Sequence, residues 1–181
     1  MLTIIRYFLF PISIFYGFVT LFRNKLYDWN IFKSTKFDVP IICIGNLVVG
    51  GAGKTPTTEY LVKLLSDYKV AILSRGYGRK TKGFIVADWH ATTQSIGDEP
   101  MQYYQKFEQV TVAVCEDRVY GINQLKNTHD VILLDDAYQH RAVKAGFNLL
   151  LFEFDKLLKW QFLLPTGNLR EPFYGYDRAD A

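Results

Sequence analysis

The feature that most restricts what this chain can fold into is the segment GNLVVGGAGKTP, residues 45–56. It follows VPIICIG (39–45), a short apolar run rich in β-branched residues that reads as a buried strand. It precedes a helix-period stretch whose Leu61, Leu64, Leu65 and Tyr68 are expected on one face. Strand, glycine-rich turn, Gly-Lys-Thr and helix is the order of a phosphate-binding loop. Glycines let backbone N–H groups turn inward around phosphate oxygens with no Cβ in the way, and the positive end of the following helix points at the same anion. In this pattern Lys54 reaches the β- and γ-phosphates, Thr55 offers its hydroxyl to Mg²⁺, and Pro56 sits in the first helical turn, where it is tolerated. One departure stands out: G-x-x-x-x-G-K-[ST] spacing asks for glycine at position 48, which is Val48.

The chain after residue 38 keeps to one architecture. KVAILS (69–74), VTVAVC (110–115), HDVILLDD (129–136) and FNLLLFEF (147–154) read as buried strands, and FIVAD (83–87) as a short edge strand. MQYYQKF (101–107) and DRVYGINQLK (117–126) read as helices. Continuous apolar strands alternating with amphipathic helices imply an α/β fold, a P-loop NTPase-like parallel sheet with helices on both faces. Ligands of such sheets collect at the carboxyl ends of the strands. Asp135 and Asp136 close one strand there, where a carboxylate can hold Mg²⁺ directly or through water. GDEP (97–100) opens a helix: Asp98 is either its N-cap or, facing a γ-phosphate, a general base for an acceptor hydroxyl. SRGYG (74–78) presents Tyr77, CEDRVYG (115–121) presents Arg118, DDAYQHR (135–141) adds Gln139, His140 and Arg141, and LPTGNLREP (164–172) holds Arg170 and Glu171. Cys43 and Cys115 are isolated in strand-like runs, and His90, His129 and His140 show no ligand spacing, so neither a cysteine nor a histidine metal site is expected.

The order GGAGKTP, SRGYG, GDEP, DDAYQH, LPTGNLRE resembles the tetraacyldisaccharide 4'-kinase family of the lipid A pathway, from the apolar N-terminal helix to the chain end. The resemblance implies a P-loop kinase that uses ATP and Mg²⁺ to phosphorylate the 4'-hydroxyl of a lipid A disaccharide 1-phosphate, forming lipid IVA. It implies a place on the cytoplasmic face of the inner membrane of Gram-negative bacteria. Carried over residue by residue, Val48, Val49, Gly50, Gly51, Ala52, Gly53, Lys54 and Thr55 cradle ATP. Asp98 is the base for the sugar hydroxyl, Glu99 stands beside the metal, and Asp135 and Asp136 complete the catalytic and magnesium network, Asp136 with Thr55 on the metal. Tyr77, Arg118, His140, Arg170 and Glu171 line the disaccharide side. Val48 stands where many relatives have threonine, and Ala137 where many have glycine, which makes that turn less permissive. Family members run well past 181 residues, so the sequence is expected to be the N-terminal part of a longer chain.

The first 38 residues form a separate region in this reading, with the kinase domain at 39–181. Residues 4–22 carry one charge, Arg6, and are long enough as a helix to approach a bilayer's thickness. At 100° per residue, Arg6, Ser13, Gly17, Thr20 and Asn24 fall in one narrow sector, leaving a wide apolar face. That pattern favours a helix lying in the membrane interface, its thin stripe toward water or protein. Residues 1–40 hold five basic and two acidic side chains, +3, which is the net charge of the whole chain. Lys25, Lys33 and Lys36 would face anionic head groups, with Tyr27 and Trp29 at the interface. A net charge of +3 is too mild to imply nucleic acid, and nothing marks an obligate protein partner. The alternative reading is a deviant-Walker, membrane-associated ATPase switch, but its signature lysine before the two glycines is Val49 here.

Overall fold

The computed structural model describes residues 6–157 and 159–181. Ile4 and Ile5, the start of the apolar segment, lie outside the described residues. Helix α1 (Phe10–Asp28) comes first, then the two-residue strand β1 (Thr35–Lys36). The α/β part runs β2 (Ile41–Asn46), α2 (Lys54–Leu64), β3 (Val70–Ser74), β4 (Ile85–Val86), α3 (Thr93–Ile96), α4 (Asp98–Lys106), β5 (Thr111–Val114), α5 (Arg118–Leu125), β6 (Val131–Asp135), β7 (Val143–Lys144) and β8 (Phe147–Leu151). It ends with the short helix α6 (Phe154–Leu157) and a 3₁₀ turn, Phe173–Arg178. The main sheet has the order β4-β5-β3-β6-β2-β8, parallel throughout except for β4, which lies antiparallel at the edge. A parallel two-stranded pair, β1–β7, stands apart.

Alternation along the strands explains why the apolar runs are unbroken. Val70, Ile72, Val112 and Leu133 face a core closed by Val62 of α2 and Tyr103 of α4. Ala71, Leu73, Ala113 and Leu134 face the opposite core, closed by Ile122 and Leu125 of α5. Both faces are dry, so neither can carry the polar alternation of a solvated sheet. Helix α2 departs from the expected face. Val62 is buried and Leu61 and Leu65 are partly buried, whereas Leu64 and Tyr68 are exposed. The helix starts at Lys54 and ends at Leu64, so Leu65 is its C-cap and Tyr68 lies beyond it, off the helical period.

Helix α1 docks by its small and polar stripe. Ser13, Gly17, Thr20 and Asn24 are buried, and Phe15, Phe18 and Phe22 are exposed. Of the two expected directions for the stripe, it faces protein. Ser13 Oγ donates to Thr166 Oγ1 at 2.8 Å and accepts from the Thr166 N–H at 2.9 Å. Arg6 donates from Nε to the Pro165 carbonyl at 3.1 Å, and Tyr16 Oη donates to the Arg170 carbonyl at 2.6 Å. Tyr27, expected at the interface, is half-buried with the Arg141 guanidinium 5.2 Å from its ring centre, whereas Trp29 is exposed. Among the described residues no helix is long and apolar enough to cross a membrane.

Gly17 lets the helix approach closely: a Cβ there would lie 2.8 Å from Leu163 Cδ1. Gly17→Leu cannot be absorbed by a small shift of that methyl. It is expected to cost about 1–3 kcal/mol of unfolding free energy, the usual range for overpacking, measured by denaturant titration.

Candidate active site

The loop joining β2 to α2 sits at the carboxyl end of the sheet and is braced from two sides. From the C-terminal segment, the Val49 N–H donates to the Asn168 carbonyl and the Arg170 N–H to the Leu47 carbonyl, each at 2.8 Å, with an antiparallel bridge between Val48 and Leu169. LPTGNLRE therefore acts as a short strand against the phosphate loop. From within, Asn46, the last residue of β2 and fully buried, spans the loop with its side-chain amide. Asn46 is absent from the sequence-derived site. Its one visible signal is an amide at the end of an otherwise apolar strand.

Lys54 is enclosed. Its Nζ lies 3.2 Å from Asn46 Oδ1 and 3.5 Å from Asp136 Oδ1. Asp136 Oδ1 also accepts from Arg170 at 2.8 Å, so this carboxylate is held between two cations. Asp136 has φ +50, the left-handed region, and is the left-handed residue of the DDAYQH turn. Position 137 does not adopt it, so Ala137 causes no strain there. A half-buried carboxylate held by two cations in this way over-determines an otherwise uncommon backbone conformation.

Asp135 is placed differently. It ends β6, is 1% exposed, and neither of its carboxylate oxygens has a hydrogen-bond partner. Burial, reinforced by Glu99 and Asp136, pushes its pKa up to about 7 against the pull of Lys54. The hydroxyls of Tyr103 and Thr58 are likewise buried without partners. An orphaned carboxylate at the carboxyl end of β6, taken with the Thr55 hydroxyl at the start of α2, is suitable hard-oxygen chemistry for a divalent cation that takes its remaining ligands from phosphate and water. Asp136, engaged by Lys54 and Arg170, is less available for that role than expected.

A cleft of about 850 Å³ opens over the loop, lined by Val49–Pro56, Tyr77, Asp98, Glu99, Asp136 and Arg170. Asp98 is not a capping residue. The N-cap of α4 is Gly97, with φ +93, and no side chain caps the helix, so the exposed Asp98 carboxylate is free to work in the cleft. Gly97 also seats SRGYG beside GDEP, since a Cβ there would lie 2.8 Å from the Tyr77 carbonyl oxygen.

A second cleft, about 610 Å³, adjoins the first and shares Val49, Tyr77, Glu99, Asp136 and Arg170 with it. Its far wall carries Tyr16, Val19, Thr20 and Arg23 of α1, together with Arg75, Arg118, Gln139 and His140. Arg118 is 3% exposed, donates to the Glu116 carbonyl at 3.0 Å, and leaves its Nε without a partner. Burial and the neighbouring Arg75 press its pKa downward. Burial and Arg118 push His140 down to about 4, so it stands in the cleft as a neutral imidazole at pH 7. Glu171, expected on this side, is a correction. It is 1% exposed and lines neither cleft, accepting instead from Asn24 at 3.0 Å, Gln139 at 3.1 Å and Arg178 at 2.8 Å. A carboxylate this deep is tolerated because donors surround it, which makes it a buried tie between α1, the DDAYQH turn and the C-terminal segment.

Residues 5–181 match the family model described as LpxK, tetraacyldisaccharide-1-P 4'-kinase. The chain belongs to this family. A tetraacyldisaccharide 4'-kinase of Flavobacterium johnsoniae is 54% identical over 99% of this chain and 54% of its own length. That of Phocaeicola vulgatus is 54% identical over 94% of this chain and 48% of its own. The chain thus spans about half the length of these curated relatives. A crystal structure of the "apo" form of LpxK from Aquifex aeolicus in complex with ATP superposes with a TM-score of 0.91 at 41% identity, covering 97% of this chain and 57% of that one. The family's α/β, mainly parallel sheet is the fold observed here.

The Asp135 carboxyl carries a testable pH signature. Its pKa is raised from 3.8 to about 7, so the folded state holds a proton that the unfolded state has released between those values. Stability from this group is complete below about pH 4 and is lost as pH rises toward 7. Asp135→Asn, which cannot ionise, is expected to raise the melting temperature of nucleotide-free protein at pH 8 and to change it little at pH 4. An equal effect at both pH values would assign the titration elsewhere.

Proposed function

We propose that this chain forms the nucleotide-binding part of a tetraacyldisaccharide 4'-kinase, which transfers the γ-phosphoryl group of ATP to the 4'-hydroxyl of a tetraacyldisaccharide 1-phosphate to give lipid IVA. The observation that carries the reading is the pair of adjoining clefts. One is lined by the phosphate loop and Lys54 and the other by basic residues, and both share Tyr77, Glu99, Asp136 and Arg170. A donor triphosphate over Lys54 and an acceptor sugar beside Arg118 and His140 would meet at that shared wall, where Asp98 opens α4.

The chemistry follows from these placements. The Asp98 carboxylate accepts the proton of the attacking hydroxyl, whose oxygen bonds to the γ-phosphorus as the bond from that phosphorus to the β–γ bridging oxygen breaks. ADP leaves with the bridging oxygen. Lys54 and Arg170 oppose the charge spread over the transferred group, and Asp136 holds both cations in place. Mg²⁺, held by Thr55 and Asp135 with Glu99 nearby, would neutralise charge on the β- and γ-oxygens.

The membrane fits the same reading. A tetraacylated substrate leaves a bilayer at a cost of about 0.8 kcal/mol per exposed CH₂, so the kinase must work at the surface. We place the protein on the cytoplasmic face of the inner membrane, peripheral or monotopic. The exposed Phe15, Phe18 and Phe22 of α1 would enter the interface beside Lys25, and Val19 would connect that face to the acceptor cleft.

Two measurements on the full-length protein test these statements. Asp98→Asn is expected to lower kcat by roughly 10²-fold or more while leaving ATP affinity little changed. Near-normal turnover would remove Asp98 as the base. Replacing Phe15, Phe18 and Phe22 with Ser is expected to weaken co-sedimentation with anionic vesicles by roughly 10³-fold or more, at about 1.5–3 kcal/mol per aromatic side chain withdrawn. Thermal stability should not fall, because these side chains already face solvent. Unchanged sedimentation would defeat α1 as the membrane contact.

A further inference from the structure

We propose that Asn46 is a positioning residue for phosphate binding: it holds the Lys54 ammonium and fixes the shape of the loop before nucleotide arrives. The proposal rests on the phosphate-binding reading of residues 45–56 and assigns a role to a residue outside the Val48–Thr55 cradle of that reading.

Asn46 is fully buried, so each polar atom of its amide must find a partner within the protein. Its Oδ1 accepts from Lys54 Nζ at 3.2 Å. Its Nδ2 donates to the Val48 carbonyl at 2.5 Å and to the Gly50 carbonyl at 3.3 Å. One side chain thus touches the loop lysine and two loop peptides. Tying the Gly50 carbonyl inward leaves the Gly51 N–H, trans across the same planar peptide, on the opposite side. The residue is itself held from behind. Gln139 Nε2 donates to the Asn46 carbonyl at 2.9 Å and also reaches Glu171 at 3.1 Å. Glu171 in turn accepts from Asn24 of α1 at 3.0 Å.

The side-chain chemistry is demanding. Binding a lysine and two carbonyls needs an acceptor and a donor on adjacent atoms, which an amide supplies at this length. Aspartate would set a carboxylate against two carbonyl oxygens, and leucine would supply neither the acceptor for Lys54 nor the donor for the Val48 and Gly50 carbonyls. Lysine has a long, freely rotating stem, and a stem ordered in advance spends less conformational entropy when a phosphate arrives. A buried amide with only a packing role would also stabilise the fold, but its removal would not distinguish ligands by their phosphates.

That difference is the test, using full-length protein with ATP and AMP as probes in calorimetry. Asn46→Ala is expected to weaken ATP binding by about tenfold or more, as loss of a hydrogen bond to a charged group implies. AMP, which lacks the β- and γ-phosphates, should bind as to the parent protein, and the KM for the disaccharide acceptor should stay unchanged. On a Lys54→Ala background the same substitution should have a much smaller effect on ATP, because the two act as a unit. A folded Asn46→Ala protein with parental ATP affinity overturns the proposal. So does an equal loss for ATP and AMP, or a full loss that persists without Lys54. If Asn46→Ala fails to fold, Asn46→Ser, whose hydroxyl is too short to reach Lys54, is read in the same way. If Lys54→Ala alone leaves ATP affinity intact, the phosphate-loop reading fails and this proposal falls with it.

Discussion

Charge removed from water at the carboxyl end of one sheet governs this molecule. Lys54, Asp135, Arg118 and Glu171 are each less than a tenth exposed. A buried charge without partners is so costly that the surrounding chain must supply them or shift the group's ionisation. Both outcomes occur here. Glu171 is surrounded by Asn24, Gln139 and Arg178, and Lys54 lies between Asn46 and Asp136. Asp135 has no donor, and its pKa rises to about 7. Glu171, fully satisfied, reads as scaffold, whereas Asp135 and the Nε of Arg118 are left without partners and read as places made for something else.

The parallel sheet is what brings these groups together. Strands buried on both faces can present polar side chains only where they end, and parallel strands all end on the same side. β2 delivers Asn46 and the phosphate loop, β3 delivers Ser74 and Arg75, and β6 delivers Asp135 and Asp136. The C-terminal segment then runs back across this edge, pairing Val48 with Leu169 and directing Arg170 to Asp136. Helix α1 closes the arrangement from outside. Its polar stripe is spent on protein contacts, so its broad apolar face is left to the surroundings. The two faces of one helix thereby line the second cleft on one side and present an apolar surface on the other.

Much of this was legible in the residues. The β2–loop–α2 unit, the strands of the sheet and the edge position of Ile85–Val86 follow from apolar run length and glycine placement, which are local properties, whereas the antiparallel direction of that edge strand was not legible. So does the stripe of α1, because helical period is fixed by geometry. The face of α2 was less legible, since a helix that stops at Leu64 leaves Tyr68 off the period. Glu171 and Asn46 were the harder cases. Both are polar residues in motif-rich segments, and nothing local distinguishes a carboxylate facing a ligand from one enclosed by Asn24, Gln139 and Arg178.

The sequence by itself determined the fold class, the phosphate loop and the set of motifs that mark the family, because each depends on spacing along the chain. Tertiary structure alone decided which acid is orphaned and which is paired, which residue of the DDAYQH turn is left-handed, and that Asn46 rather than a loop residue holds Lys54. The physical reason is that hydrogen bonding and desolvation at a buried site are set by what arrives from elsewhere in the chain. Some of those arrivals join positions more than a hundred residues apart, as when Asn24 meets Glu171, and no local pattern encodes such a meeting.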